Sequence, residues 1–154
     1  MIKQLSRRDL PQAAAVIRAS FSTVAAAFGF TERDCAGHPS FMKDETLAQS
    51  FEQGMRMFGL YDGHTLAGFV GLRDKTGGVY ELKHFAVLPE YRCRGYGKQL
   101  LDFCKVQAGV HKIVLDIIEE NTALKNWYGK DCFVHTGTKQ FAHLPFTVGY
   151  MEWE

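Results

Sequence analysis

Apolar positions along the first half of the chain follow two different spacings. Ile2 to Leu5 reads as a short strand. Leu10, Ala13, Ile17, Phe21, Val24 and Phe28 then recur at steps of three and four, the spacing of an amphipathic helix with one buried stripe. Asp9 can cap that helix, and Pro11 falls within its first turn, where a missing N–H costs little. Residues 29–42 carry turn formers without a period, and Asp44 to Gln53 reads as a second, shorter helix. From Met57 the pattern becomes short apolar runs divided by turn signals. Asp62-Gly63, before Thr65 to Leu72, predicts a two-residue hairpin, and Thr76-Gly77-Gly78 leads into a long strand, Val79 to Leu88, closed by Pro89. These three strands form an antiparallel meander.

Helical spacing returns in Gly97, Leu100, Leu101, Cys104 and Ala108. Lys112 to Ile118 reads as a buried strand, Thr122 to Tyr128 as a helix capped by Asn121, and Phe133 to Ala142 and Thr147 to Trp153 as closing strands. The predicted order is β-α-α-β-β-β-α-β-α-β-β. With no repeat or linker, residues 1–154 read as a single α+β domain with a mixed sheet.

Composition narrows the function. Eighteen lysines and arginines against 17 acids give a net charge of +1, too balanced for a general nucleic-acid or anionic-membrane binder. A 46% hydrophobic, 13% aromatic content can fill a core. No apolar stretch approaches the roughly 20 residues of a spanning helix, and the amino terminus has no signal-peptide pattern, so a cytoplasmic location is expected. Cys35, Cys93, Cys104 and Cys132 include no CxxC pair, and the six histidines show no i, i+4 pairing; reduced thiols and no metal are expected.

The segment with the most chemical content is Arg92-Cys93-Arg94-Gly95-Tyr96-Gly97-Lys98, between a strand and the first turn of a helix. A helix start presents unpaired N–H donors and partial positive charge, and glycines let an anion approach the backbone. Arg92, Arg94 and Lys98 add positive charge beside it. A Walker A loop fails here, because Arg92 and Gln99 stand where it needs a glycine and a Ser or Thr. The dinucleotide fingerprint fails as well, with Leu100 at its third glycine and a meander before it. Taken alone, the glycine pair serves equally as a tight strand-to-helix turn.

Around this loop the sequence resembles the GNAT superfamily of acyl-CoA-dependent N-acetyltransferases. Arg92, Gly95 and Gly97 match the family signature, which is Arg or Gln, two residues, Gly, one residue, then Gly or Ala. Glu81 to Tyr91 is similar to the family's central strand, and Asn121, Ala123, Tyr128 and Phe133 to its second conserved block, so the resemblance covers Val79 to Phe133. It implies a mixed, mostly antiparallel sheet of six to seven strands flanked by about four helices. It also implies acetyl-CoA as acyl donor, held by Phe85, Ala86 and Val87 along the pantetheine arm, by Arg92 to Lys98 (Cys93 and Tyr96 included) at the pyrophosphate, and by Asn121.

Acetyl transfer to an amine poses two proton problems. An alkylamine of pKa near 10.4 is only about 0.1% neutral near pH 7.4, so exposing its lone pair costs about 4 kcal/mol. Glu81, six residues before Val87, matches the position where many relatives place a general base. The departing thiolate gains from a proton donor, and the resemblance implies the phenol of Tyr128. Direct attack is favoured over an acyl-cysteine route, since Cys93 lies by the pyrophosphate and Cys104 on a buried stripe. His84, nearest the chemistry, reads as a strand residue rather than a base.

Relatives usually carry glycine where Cys132 stands; Asp131 or Gly129 is expected to take the left-handed turn instead. The acceptor is expected to be a small-molecule amine bound near Phe21, Phe28, Phe30, Phe41, Phe141 and Phe146, which serve equally well as plain core. A homodimer is left open, and no nucleic-acid or membrane partner is expected. The alternatives are an idle acyl-CoA-binding module, or the same enzyme using a longer acyl-CoA.

Overall fold

The computed structural model describes residues 1–154. Its seven strands are β1 (Ile2–Gln4), β2 (Arg56–Asp62), β3 (Thr65–Asp74), β4 (Val79–Val87), β5 (Lys112–Ile118), β6 (Val134–Gln140) and β7 (Thr147–Trp153). Its helices are α1 (Leu10–Phe28), α2 (Asp44–Glu52), α3 (Tyr96–Lys105) and α4 (Thr122–Lys130). All seven strands join one sheet in the order β1-β2-β3-β4-β5-β7-β6. Every pairing is antiparallel except β4 with β5. The mixed sheet with four helices agrees with the architecture expected from the sequence. No helix is long and apolar enough to cross a membrane.

Helices cover both faces of the sheet. Leu10, Ala13, Ile17 and Leu47 from α1 and α2 pack with Leu66 and Phe69 of β3 on one side. Leu100, Leu101 and Cys104 of α3 and Tyr128 of α4 pack with Val70, Leu72 and Leu82 on the other. Each fully buried Leu, Ile or Phe contributes about 1.5–3 kcal/mol. The close approach of α3 depends on Gly68, where an added Cβ would stand 2.9 Å from the Leu100 side chain and 3.2 Å from the Ala86 carbonyl.

Three local expectations are corrected. Asp62 pairs with Thr65, so the hairpin turn is Gly63-His64, with Gly63 at φ +61° supplying the left-handed residue. Asp9 does not cap α1 with its side chain; its carboxylate reaches back to accept from Ser6 N–H (2.8 Å) and Ser6 Oγ (3.0 Å), and one short helical turn precedes α1. Cys132 itself is left-handed, at φ +69°, whereas Asp131 is at −105° and Gly129 is not at positive φ. Cys132 N–H bonds Gly129 O (3.2 Å) and Phe133 N–H bonds Tyr128 O (3.1 Å), closing the helix end so that Phe133 is buried. Burying Phe133 outweighs a strain of about 1–2 kcal/mol at Cys132.

Two irregularities open the centre of the sheet. Between the pairs Phe69↔Ala86 and Gly71↔Lys83, β3 advances two residues and β4 three, a bulge that leaves His84 at φ +55°. The parallel pairing of β4 and β5 ends at Glu81↔Val114, while β5 stays paired with β7 as far as Ile118. Beyond Glu81 the two strands part, and Leu82–Val87 faces Leu115–Ile118 across a gap.

Candidate active site

The gap opens into a cavity of about 1090 Å³. β4 and β5 form its floor, the loop into α3 and the α4 residues Leu124, Trp127 and Tyr128 one side, and α1, residues 33–39 and the β6–β7 loop the other. At one end lies the loop singled out in the sequence. Gly95 caps α3 at φ +81°, and Cys93 is also left-handed at φ +62°. The backbone N–H groups of Cys93, Arg94, Gly95, Tyr96, Gly97 and Lys98 meet no acceptor in the protein; the first bonded amide of this turn is Gln99 N–H, to Gly95 O at 3.0 Å. Six successive unpaired donors at a helix start are an arrangement that could hold an anion.

The cations of this loop are less free than the sequence alone implies. The Arg92 guanidinium donates to Val87 O (3.0 Å), Ser20 O (2.8 Å) and Thr23 Oγ1 (3.1 Å), tying the loop to α1. Arg94 lies over the Tyr91 ring, 5.0 Å from its centroid, and 3.6 Å from Asp62. Tyr96 donates its hydroxyl to Asp62 (2.6 Å), a bond that raises the phenol's pKa. Lys98 Nζ bridges Asp102 (3.1 Å) and Asp131 (3.0 Å), whose carboxylates hold its pKa up. Backbone amides are therefore the donors left for an anion, with the exposed Arg94 and Lys98 beside them.

Asn121 caps α4 and keeps its amide donors free. Its Oδ1 accepts from Leu124 N–H (3.2 Å) as the cap of α4, and its amide N–H groups remain unengaged on the cavity wall. Tyr128 is 5% exposed, packed by Phe85, Trp127 and Phe133, and its hydroxyl has no partner in the protein. Burial pushes its pKa upward, so it stays protonated at neutral pH. Phe85, Ala86 and Val87 line the same cavity.

Glu81 does not line it. The Glu81 carboxylate, 13% exposed, is held in an ion pair by Arg73 of the neighbouring strand. Three other titratable residues of the sheet do line the cavity: Lys83 and His84 of β4 and Asp116 of β5. Asp116 of β5 opens into it without an ion-pair partner. The surrounding protein raises its pKa by desolvation, against the pull of Lys83 and with a further push from Glu81. The acid inside the apolar run Lys112–Ile118 was the sequence signal for it. His84, thrown out by the bulge, lines the cavity too; burial, then Lys83 and Arg73, lower its pKa to about 4, leaving a neutral imidazole at pH 7.

Of the six phenylalanines expected near the acceptor, Phe21 and Phe146 line the cavity. Phe30 and Phe41 pack behind them around the buried His38, Phe28 stacks on Phe30 while 37% exposed, and Phe141 packs on His143. His38 had no signal in the sequence, because its neighbours come from three separate segments.

A family model described as the acetyltransferase (GNAT) family matches residues 24–132. No curated protein matches the sequence. Among solved structures, the chain is similar to the PaiA N-acetyltransferase of Thermoplasma acidophilum in complex with coenzyme A. That match has a TM-score of 0.79 at 22% identity, covering 99% of this chain and 96% of that one. The ribosomal-protein-S18-alanine N-acetyltransferase of Escherichia coli gives 0.78 at 19%, covering 99% and 91%. YncA of Salmonella typhimurium, with its cofactor acetyl-CoA, gives 0.74 at 15%, covering 100% and 92%.

Proposed function

The chain belongs to the GNAT acetyltransferase family, and on that premise we propose that it transfers the acetyl group of acetyl-CoA to a small primary amine by direct attack. The observation that carries this reading is the run of six unpaired N–H groups, Cys93 to Lys98, at the mouth of the gap between β4 and β5. Those donors suit a diphosphate, and two or three charge-assisted bonds at about 1.5–3 kcal/mol each are enough to anchor it. The acetyl-CoA thioester, when bound, supplies an activated acyl carbon. Phe85 to Val87 and Leu115 to Ile118 form the walls that direct it, and the free amide of Asn121 is a donor for the pantetheine arm.

The negative charge of Asp116 draws the ammonium form into the cavity, and its carboxylate takes the proton whose loss exposes the lone pair for N–C bond formation; the second N–H proton, released as that bond forms, replaces the one that Tyr128 gives the sulfur. A carboxylate open to the cavity, with a raised pKa and no ion-pair partner, is a better proton acceptor than one already held by arginine, so Asp116 is preferred to the expected Glu81. Glu81 holds Arg73, and its charge adds to the basicity of Asp116. Tyr128 Oη–H is the donor offered to the sulfur as the C–S bond breaks and negative charge develops there. No thiol is required: Cys104 is fully buried with its pKa pushed up to about 12, and Cys93 belongs to the anion loop.

Calorimetric titration with acetyl-CoA, followed by thiol release over a panel of primary amines, tests the reading; binding without turnover of any amine would favour an idle acyl-CoA-binding module. Asp116→Asn is expected to lower kcat/KM about 10²–10⁴-fold and to remove the acidic limb of the pH profile, with Glu81→Gln within about fivefold of the parent. The reverse ranking would return the base to Glu81.

A further inference from the structure

The arginines and lysines on the cavity lining are Arg33, Lys83, Arg92 and Lys98. Arg92 is tied to Val87, Ser20 and Thr23, and Lys98 bridges Asp102 and Asp131. Arg33 sits on the exposed segment after α1, across the cavity from the sheet. Lys83 of β4 is different. It is half-buried, its ammonium has neither an ion-pair partner nor a hydrogen bond in the protein, and its Nζ keeps accessible surface.

The strand pairing places this cation at the reacting end. Parallel pairing of β4 and β5 ends at Glu81↔Val114, and two residues further along each strand stand Lys83 and Asp116, on opposite sides of the gap. Desolvation apart, Lys83 is the charge that acts most strongly on Asp116, and Lys83 and Arg73 are the cations that act on His84. Phe85, two residues beyond Lys83, packs on Tyr128 with ring centroids 6.3 Å apart. At about 3.3 Å per residue, Lys83 is roughly 13 Å along β4 from Val87, where Arg92 ties down the anion loop, so it is not a ligand of a diphosphate held there. Lys83 and His84 also line a second cavity of about 70 Å³, with Ser50, Gln53, Met55 and Arg73, so the two cavities adjoin at these side chains. With a water's share of liquid near 30 Å³, the smaller one has room for a carboxylate.

Resting on the acetyltransferase reading above, we infer that the acceptor is a small amino acid, whose carboxylate is held by Lys83 while its amino group lies on Asp116. A cation and an anion that face each other across a gap without pairing are matched by a ligand carrying both charges. Arg73, itself paired with Glu81, adds positive charge behind Lys83. A simple alkylamine would leave the Lys83 charge uncompensated, and a polyamine would bring a second cation against it.

The test is a kinetic comparison, with acetyl-CoA, of amines that differ only by the carboxylate: phenylalanine against 2-phenylethylamine, methionine against 3-(methylthio)propylamine, and β-alanine against ethylamine, with spermidine alongside. In at least one pair the amino acid is expected to exceed its partner at least tenfold in kcat/KM, with spermidine below it. Lys83→Met is expected to raise KM for that amino acid at least fivefold more than for its partner, and Lys83→Arg to keep the preference. The influence of Lys83 on Asp116 falls on both amines of a pair alike, so the ratio within the pair reports the carboxylate. No tenfold preference in any pair, preference for spermidine, or a Lys83→Met change equal within the pair overturns the inference. Acetyl-CoA binding with turnover of none of these amines also overturns it and leaves the donor site standing; failure of the parent protein to bind acetyl-CoA would instead overturn the reading on which it rests.

Discussion

Gly95→Asp probes the anion loop most directly. Gly95 has φ +81°, and a Cβ built there meets nothing within 4 Å, so the new side chain would fit sterically and stand among the six free N–H groups. Two effects then oppose a diphosphate. At roughly 5 Å and an effective dielectric of about 20, one unit of like charge costs about 3 kcal/mol. The aspartate would also occupy amide donors worth about 1.5–3 kcal/mol each to an anion. At about 1.4 kcal/mol per tenfold, the repulsion alone weakens coenzyme A binding about 100-fold. The left-handed backbone adds strain of about 1–2 kcal/mol, which for a chain of this length lowers Tm by a few degrees. Isothermal titration with coenzyme A, beside a thermal melt, measures both. Gly95→Ala carries the same backbone strain without the charge and should lose less than about tenfold in affinity. A Kd for Gly95→Asp within threefold of the parent, in a folded protein, would refute the assignment of these amides to phosphate.

Tyr128→Phe removes a hydroxyl with no protein partner, so no buried group is orphaned; kcat should fall about 100-fold while coenzyme A affinity stays within about twofold, and equal rates would remove the proton-donor role. Cys132→Gly should raise stability by about 0.5–1 kcal/mol in urea denaturation, because an exposed side chain is exchanged for relief of a left-handed strain. His84 has a folded pKa near 4 against 6.5 unfolded, so the unfolded chain binds more protons between those values and stability falls as pH drops through that window, by up to about 3 kcal/mol. His84→Gln should flatten this acid limb, and an unchanged slope would show that the ring is not desolvated. Asp116 has the opposite sign, since its folded pKa is raised. The ionised form is the disfavoured one, stability falls as pH rises through the raised value, and Asp116→Asn should melt higher than the parent at pH 7.

Much of the local structure around the candidate anion loop was legible because its parts are contiguous. The apolar spacing in α1 and α3, the strand Val79–Val87 and the glycines of the anion loop all lie within single segments, where local geometry decides the outcome. The hairpin turn was displaced by one residue, since the register of β2 against β3 is set by their shared packing and not by the Asp-Gly pair. The left-handed Cys132 ran against intrinsic preference because the burial of Phe133 overrides it.

The sequence by itself determined the order of the elements and the place where a helix start offers amides to an anion, because both depend on residues within a few positions of one another. Only the tertiary structure decided which groups are free to react. Arg92 is occupied by a helix carbonyl 72 positions away, and Glu81 by Arg73 across a strand pair, while Asp116 is left unpaired where β4 and β5 part. Whether a side chain is a reagent or a strut depends on what stands opposite it, and that follows from the bulge and the gap in the sheet.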